Sequence, residues 1–296
     1  MITKNLRGFL LFLTALFLFA VSDATAKYMS AFFAVPLLAW ARYLSQMLFM
    51  LAVTAPGMGG EIVRTKKPGL MIFRGLMQVS STVFVLLAFR TLPLAETTAI
   101  VFITPLLVAL LAGPLLGEKM GLRTWLATLA GFAGVLLIVR PDGAMHGMGV
   151  VYAFCSALSY ATYQILTRKL AASEPPLRQL FYIALVGTFS MSCLLPFFWT
   201  GIMPTLTQTL FILSLGFYGG MGHFLLIRAF HETPASSLSP LLYIQLVWAM
   251  LLGWIVFGQL PDLLSIVGML VIGASGLSLA LRWPRGNTAR VVPGPI

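Results

Sequence analysis

The chain has 296 residues, 59% of them hydrophobic and 9% charged, with a mean hydropathy of +0.96 and a formal net charge of +11. Soluble domains carry about 25% charged residues, so this composition excludes a water-soluble enzyme, a disordered chain and a disulfide scaffold. In a soluble protein the positive charge would point to nucleic acid; in a membrane protein it belongs to cytoplasmic loops, and no nucleic-acid partner is expected.

A bilayer core of about 30 Å needs about 20 apolar residues per helix. Ten segments answer that description: 9–29, 37–54, 70–89, 94–116, 122–139, 147–166, 179–199, 209–230, 235–257 and 263–281. They predict an all-α integral membrane protein. The connections are short and carry turn residues, as in Pro56-Gly57, Pro141-Asp142-Gly143, Pro175-Pro176 and Pro261-Asp262. No loop has room for a soluble domain. Lys4, Arg7, an apolar run and Ala24-Thr25-Ala26 also fit a cleavable secretory signal. Asp23 beside the would-be cleavage site, and the repeat described next, favour retention of the first span.

With the N-terminus inside, fourteen of the nineteen Lys and Arg fall in cytoplasmic segments and two, Arg90 and Arg140, in outer ones. Lys27, Arg42 and Arg74 lie within spans. By the positive-inside rule both termini are expected in the cytoplasm of a cell whose inner membrane holds the chain.

Sliding the chain against itself by 141 residues aligns Ala20 with Ala161, Lys27 with Arg168 and Gly75 with Gly216. The same offset aligns Pro93 with Pro234 and Gly117-Glu118 with Gly258-Gln259. Residues 1–141 and 142–296 therefore read as two repeats of five spans each. Because five is odd, the second repeat is expected to enter the membrane with opposite polarity. Inverted repeats with a site near the midplane are a device of secondary transporters; a duplicated bundle that only scaffolds is the alternative.

The run through Thr104-Pro105, Gly117-Glu118-Lys119, Trp125, Gly131-Phe132-Ala133-Gly134-Val135 and Arg140-Pro141 resembles the EamA repeat of the drug/metabolite transporter superfamily. The second half carries a weaker copy in Gly258-Gln259, Gly268 and Gly273–Gly276. The resemblance implies ten helices, two inverted repeats and a central cavity lined mainly by spans 1, 3, 4, 6, 8 and 9. Asp23, Lys27-Tyr28, Arg42-Tyr43 and Arg74-Gly75 are also similar to members that take up S-adenosylmethionine or riboflavin.

Ionisable groups inside a bilayer cost several kcal/mol and are functional candidates by default. Asp23 and Lys27, four apart on span 1, share a face. Asp23 is read either as a group that couples transport to a proton or another ion, or as half of a neutral pair with Lys27. Arg42 with Gln46, and Arg74 with Gln78 and Ser81, form polar stripes at helical spacing. Arg74, one turn inside span 3, is expected to snorkel to the headgroups; holding a carboxylate or phosphate in its fork is the alternative. Arg42 faces the same choice at the outer surface. Gln78 lies deeper and is the better candidate for contact with a ligand.

His223 sits mid-span among Gly216, Gly219, Gly220 and Gly222, as a proton relay or a structural hydrogen-bonding group. Tyr160, Tyr163 and Gln164, with Tyr243 and Gln245, offer rings and amides suited to a zwitterionic or ring-bearing metabolite, or to ordinary inter-helix bonding. Thr104-Pro105 and Ser239-Pro240 should bend spans 4 and 9. Gly131, Gly134, Gly273 and Gly276 suit close packing or a homodimer contact.

The substrate-binding set is thus Arg74, Gln78, Tyr160, Gln164, His223, Tyr243 and Gln245, with Asp23 as the coupling group. Cys155 and Cys193 read as small hydrophobes. His146 and His231 fall at opposite ends of the membrane, so no metal or cofactor is expected, and no P-loop or catalytic set is recognisable. The sequence leads to an alternating-access transporter of an amino acid or similar zwitterionic or ring-bearing compound, with a cofactor such as S-adenosylmethionine or riboflavin as the alternative cargo.

Overall fold

In the computed structural model the described residues are 2–116, 122–139, 147–170, 173–199, 201–232 and 239–280. Gly117-Glu118-Lys119, Arg140 with the Pro141-Asp142-Gly143 turn, Pro234, His146 and the tail from 281 onward lie outside them, as do the side chains of Arg168, His231 and Gly276. The helices are α1 (Ile2–Ser30), α2 (Val35–Met58), α3 (Pro68–Phe89), α4 (Leu94–Val101), α5 (Thr104–Leu116) and α6 (Leu122–Val139). The second half follows with α7 (Gly147–Leu170), α8 (Pro176–Phe198), α9 (Leu206–Glu232), α10 (Ile244–Phe257) and α11 (Leu263–Ala280). Short 3₁₀ turns at Gly59–Ile62 and Ser239–Tyr243 precede α3 and α10. Among the described residues there is no strand.

Hydropathy explains why these segments are helices. Inside a bilayer a backbone must satisfy its own polar groups, and a helix does so within one segment. Among the described residues, five stretches are long and apolar enough to cross a membrane, on α1, α2, α3, α8 and α9. Shorter apolar stretches lie on α4–α5, α6, α10 and α11. Leu122, Phe197 and Leu206 stand exposed on the outside of the bundle, a placement that suits lipid.

Spans 4 and 9 are interrupted where their prolines predict. Pro105 has no N–H for the Val101 carbonyl four residues back, and its ring crowds that carbonyl. The chain breaks at Phe102-Ile103, and the Thr104 hydroxyl donates to Val101 O at 2.6 Å in place of the missing amide. In span 9, Pro240 falls in the 3₁₀ turn that leads into α10. Gly258 ends α10 with φ +65°, a left-handed cap that only glycine adopts without strain. Its amide donates to Trp254 O, and the Gln259 amide reaches back to Gly253 O. The glycine of the Gly258-Gln259 motif is therefore a helix stop.

The helices pack in reciprocal pairs. Span 1 (α1) packs on span 8 (α9), and the corresponding span 6 (α7) packs on span 3 (α3). Likewise α2 packs on α9 while α8 packs on α3, and α1 meets α10 while α7 meets α4 and α5. The remaining partnerships, α2 with α8, α4 with α10 and α6 with α11, join corresponding spans directly. The reciprocity reaches single residues. A Cβ on Gly75 would lie 2.8 Å from Val186, and one on Gly216 would strike Ser45; the two contacts exchange under the 141-residue offset.

Gly131 and Gly134 of span 5 and Gly268 of span 10 serve close packing. A Cβ on Gly134 would lie 2.8 Å from the Gly268 carbonyl oxygen, and one on Gly268 would lie 2.6 Å from that of Gly134. Gly131 is closed off by Leu106. At Gly131 and Gly134 the close contacts come from within the chain.

Candidate functional site

Helical pitch and the reciprocal crossings bring side chains from both halves together. Asp23 enters from α1, two turns from its C-terminal end, and Arg42 from α2, two turns from its start. The two interact electrostatically. The Gln245 amide, from the first turn of α10, approaches the Asp23 carboxylate at 3.5 Å. Arg42 also acts electrostatically on Tyr160 of α7 and on His223 of α9. Its guanidinium lies against Gly219, where a Cβ would come within 3.9 Å of Nε. Asp23, Tyr160, His223 and Gln245 of the predicted set therefore share one neighbourhood, with Arg42 at its hub.

Aromatic rings line its flank. Tyr160 and Tyr163 stack with centroids 5.5 Å apart at 11°, as side chains three apart on a helix can. Gln164 hydrogen-bonds the Tyr160 side chain. His223 packs on Phe19, ring to ring at 4.9 Å. Tyr43 is buried beneath, its hydroxyl 2.6 Å from Thr82 Oγ1 and donating to the Gln78 carbonyl at 3.3 Å. Tyr243 packs elsewhere, on Phe102 at the break between α4 and α5 and near Gly273.

Arg74 corrects the sequence reading. It does not snorkel: it is 1% exposed, and its guanidinium donates to the Gln179 carbonyl at 2.9 and 3.5 Å. The guanidinium also lies over the Tyr163 ring at 5.0 Å. The reason is the neighbouring helix. Packing of α8 on α3 sets a first-turn carbonyl beside Arg74, a nearer partner than the headgroups. Arg42 likewise turns into the bundle, its guanidinium against Gly219, while Gly216 lets the α9 backbone close on that of α2 at the Arg42 carbonyl.

The neutral Asp23–Lys27 pair does not form either. Lys27 Nζ donates to Phe89 O at 2.8 Å and Leu92 O at 2.5 Å, capping the end of α3. Its acidic neighbour is Glu96 of α4, 5% exposed, with which it interacts electrostatically. In return, Arg90 at the end of α3 donates to Ser30 O and Phe33 O at the end of α1. The two basic residues clasp α1 and α3 together. Sequence reasoning passed over Glu96, although it and Asp23 are the only acidic residues inside the ten segments.

The opposite end of the bundle is joined by polar contacts. Glu174, in the turn before α8, accepts from Thr65 at 2.5 Å and from Arg178 at 2.9 Å. Arg178 also donates to Glu61 O, and the Tyr182 hydroxyl to Val63 O. Burial alone would raise the Glu174 pKa, but the bonds from Thr65 and Arg178 outweigh it and hold the carboxyl below its ordinary 4.5. Among the described residues, no group of three or more His, Cys, Asp or Glu is placed to hold a metal ion. Cys155 and Cys193 are free thiols.

An apolar helical bundle built from two similar halves, with a polar cluster where they meet, defines a membrane protein of repeat architecture. The profile of the EamA-like transporter family matches it twice, over residues 6–140 and 147–281. The chain belongs to that family.

Named relatives span several cargoes. The chain is 27% identical to an S-adenosylmethionine uptake transporter of Rickettsia bellii, over 72% of this chain and 73% of the relative. It is also 27% identical to a riboflavin transporter of Vibrio cholerae, over 93% and 92%, and to the pseudopaline exporter CntI of Pseudomonas aeruginosa, over 92% and 95%. A solved crystal structure, 19% identical, superposes with a TM-score of 0.64 over 93% of this chain and 96% of that one. It shares the fold.

Proposed function

We propose that this protein is a secondary active transporter of the bacterial inner membrane, carrying a zwitterionic or ring-bearing metabolite by alternating access. The observation that carries the reading is the cluster of Asp23, Arg42, Tyr160, His223 and Gln245 at the junction of the two halves. A structural bundle has no need of charge at that depth, where each ionisable group costs several kcal/mol. Tyr160, Tyr163 and Gln164 offer rings and an amide to a flat or cationic part of the cargo, and Arg74 and Gln78 offer polar contacts on α3. Asp23 serves as the coupling group.

The reciprocal packing supports a two-fold relation between residues 1–141 and 142–296, and an odd number of spans per half favours an inverted one. Rocking of one half against the other would then expose the cluster to each side in turn. Both termini face the cytoplasm on the positive-inside argument. S-adenosylmethionine, an amino acid joined to a ring system through a cationic centre, is the first cargo to try, and the uptake relatives named for it support that choice. Riboflavin is the second, on the stacked tyrosines and the Vibrio relative.

Paired metabolite profiling of cells and medium tests the reading, comparing overexpressed wild type with Asp23→Asn. A compound displaced by the wild type and not by Asp23→Asn names the cargo and its direction. Displacement that Asp23→Asn leaves unchanged removes Asp23 from coupling. No displacement of any compound contradicts transport.

A further inference from the structure

Three buried polar atoms without a hydrogen-bonding partner belong to Arg74, to the residue one turn along from it and to the residue whose carbonyl it bonds. They are Arg74 Nε, Gln78 Oε1 and Gln179 Oε1. Arg74 and Gln179 are 1% and 5% exposed, so water does not readily serve them. A guanidinium has five N–H donors in a planar fork. Here the fork bonds a single carbonyl, that of Gln179, and no carboxylate among the described residues interacts with it. A desolvated cation is ordinarily matched by an anion, because a neutral carbonyl does not repay the lost hydration. Gln78 stands one turn along α3 from Arg74, on the same face, with its amide oxygen free to accept.

We infer that Arg74 and Gln78 together recognise the α-amino-carboxylate end of the transported molecule. The carboxylate takes the Arg74 fork in place of the Gln179 carbonyl, and the ammonium donates to Gln78 Oε1. A donor fork and an acceptor one turn apart complement a group that carries an acceptor and a donor on adjacent atoms. Tyr163, over which Arg74 already lies, continues from this end towards Tyr160, where the rest of the cargo follows. The inference rests on the zwitterionic reading above and narrows it to amino-acid cargo. It also gives the desolvated Arg74 charge an anionic partner, which the Gln179 carbonyl that holds it in the bundle does not supply.

The test is direct binding to the full-length protein in lipid nanodiscs, with S-adenosylmethionine and its decarboxylated analogue as paired probes. Wild type is expected to prefer the intact molecule by about 30-fold or more, the range for a buried charge pair losing one partner. Arg74→Gln should abolish the preference by weakening only the intact probe to the level of the analogue. Arg74→Lys, which keeps the charge and loses the fork, should retain a preference of roughly a few-fold; it is also the fallback should Arg74→Gln fail to fold. If either variant keeps the wild-type preference, or weakens both probes equally, Arg74 only positions α8 and the inference is overturned. Wild type binding both probes alike overturns the anchor and leaves the transport reading standing. Wild type binding neither removes S-adenosylmethionine as cargo; amino acids paired with their decarboxylated amines are then the probes, and no preference for any amino acid over its amine overturns the anchor.

Discussion

At the scale of single residues, spacing proposed partners and packing chose among them. Asp23 and Lys27, four apart on α1, read as a pair, yet Lys27 caps α3 and faces Glu96 while Asp23 meets Arg42 and Gln245. A one-turn spacing is visible in the sequence; the open carbonyls at the end of another helix are not. Arg74 is the same case, because the Gln179 carbonyl that holds it lies more than a hundred residues away. Lys27→Met should therefore destabilise the protein by about 3 kcal/mol, since it strips two charge-assisted bonds and leaves Glu96 buried without its cation. The double variant Lys27→Met/Glu96→Met should lose less than the two singles added. Denaturant unfolding in detergent reads both, and strict additivity would show that Lys27 and Glu96 do not interact.

At the scale of elements, most boundaries were legible and their causes are local. Thr104-Pro105 foretold the break between α4 and α5, because a missing amide acts within one turn. Gly258 in the repeat motif proves to be a left-handed helix stop. Less legible was the clasp that ties residues 61–65 to the start of α8, built from loop residues with no periodic pattern. Glu174 is its centre, and its folded pKa lies below the ordinary 4.5. A depressed carboxyl pKa stabilises the fold fully above the unfolded value, and that contribution is lost as pH falls through the lower folded one. Glu174→Gln should thus lower the melting temperature at pH 7, and the gap from wild type should close on acidification to about pH 3. A gap that stays constant across that range would show that the Glu174 charge contributes nothing to the clasp.

At the scale of the whole molecule, a repeated backbone carries unrepeated chemistry. Gly75 and Gly216, Ser45 and Val186 exchange roles across the two halves, which fits a fold duplicated for its packing. The charges at the centre do not repeat. Under the same offset Asp23 corresponds to Gln164, Arg42 to Ile183 and Arg74 to Leu215, so the first half holds the ionised groups and the second answers with amides and rings. Helix number, repeat length and family were readable from hydropathy and self-similarity, because both are summed over many residues. Which face each polar residue presents was not, since it depends on crossings between distant helices. The most direct measurement is counterflow in proteoliposomes: vesicles loaded with unlabelled S-adenosylmethionine, labelled compound outside, and wild type compared with Asp23→Asn and empty vesicles. Wild type is expected to accumulate label transiently above empty vesicles, and Asp23→Asn to keep this exchange while losing the accumulation that an imposed proton gradient drives in the wild type. Wild-type vesicles no different from empty ones, for this compound and for riboflavin and amino acids offered in turn, would contradict transport.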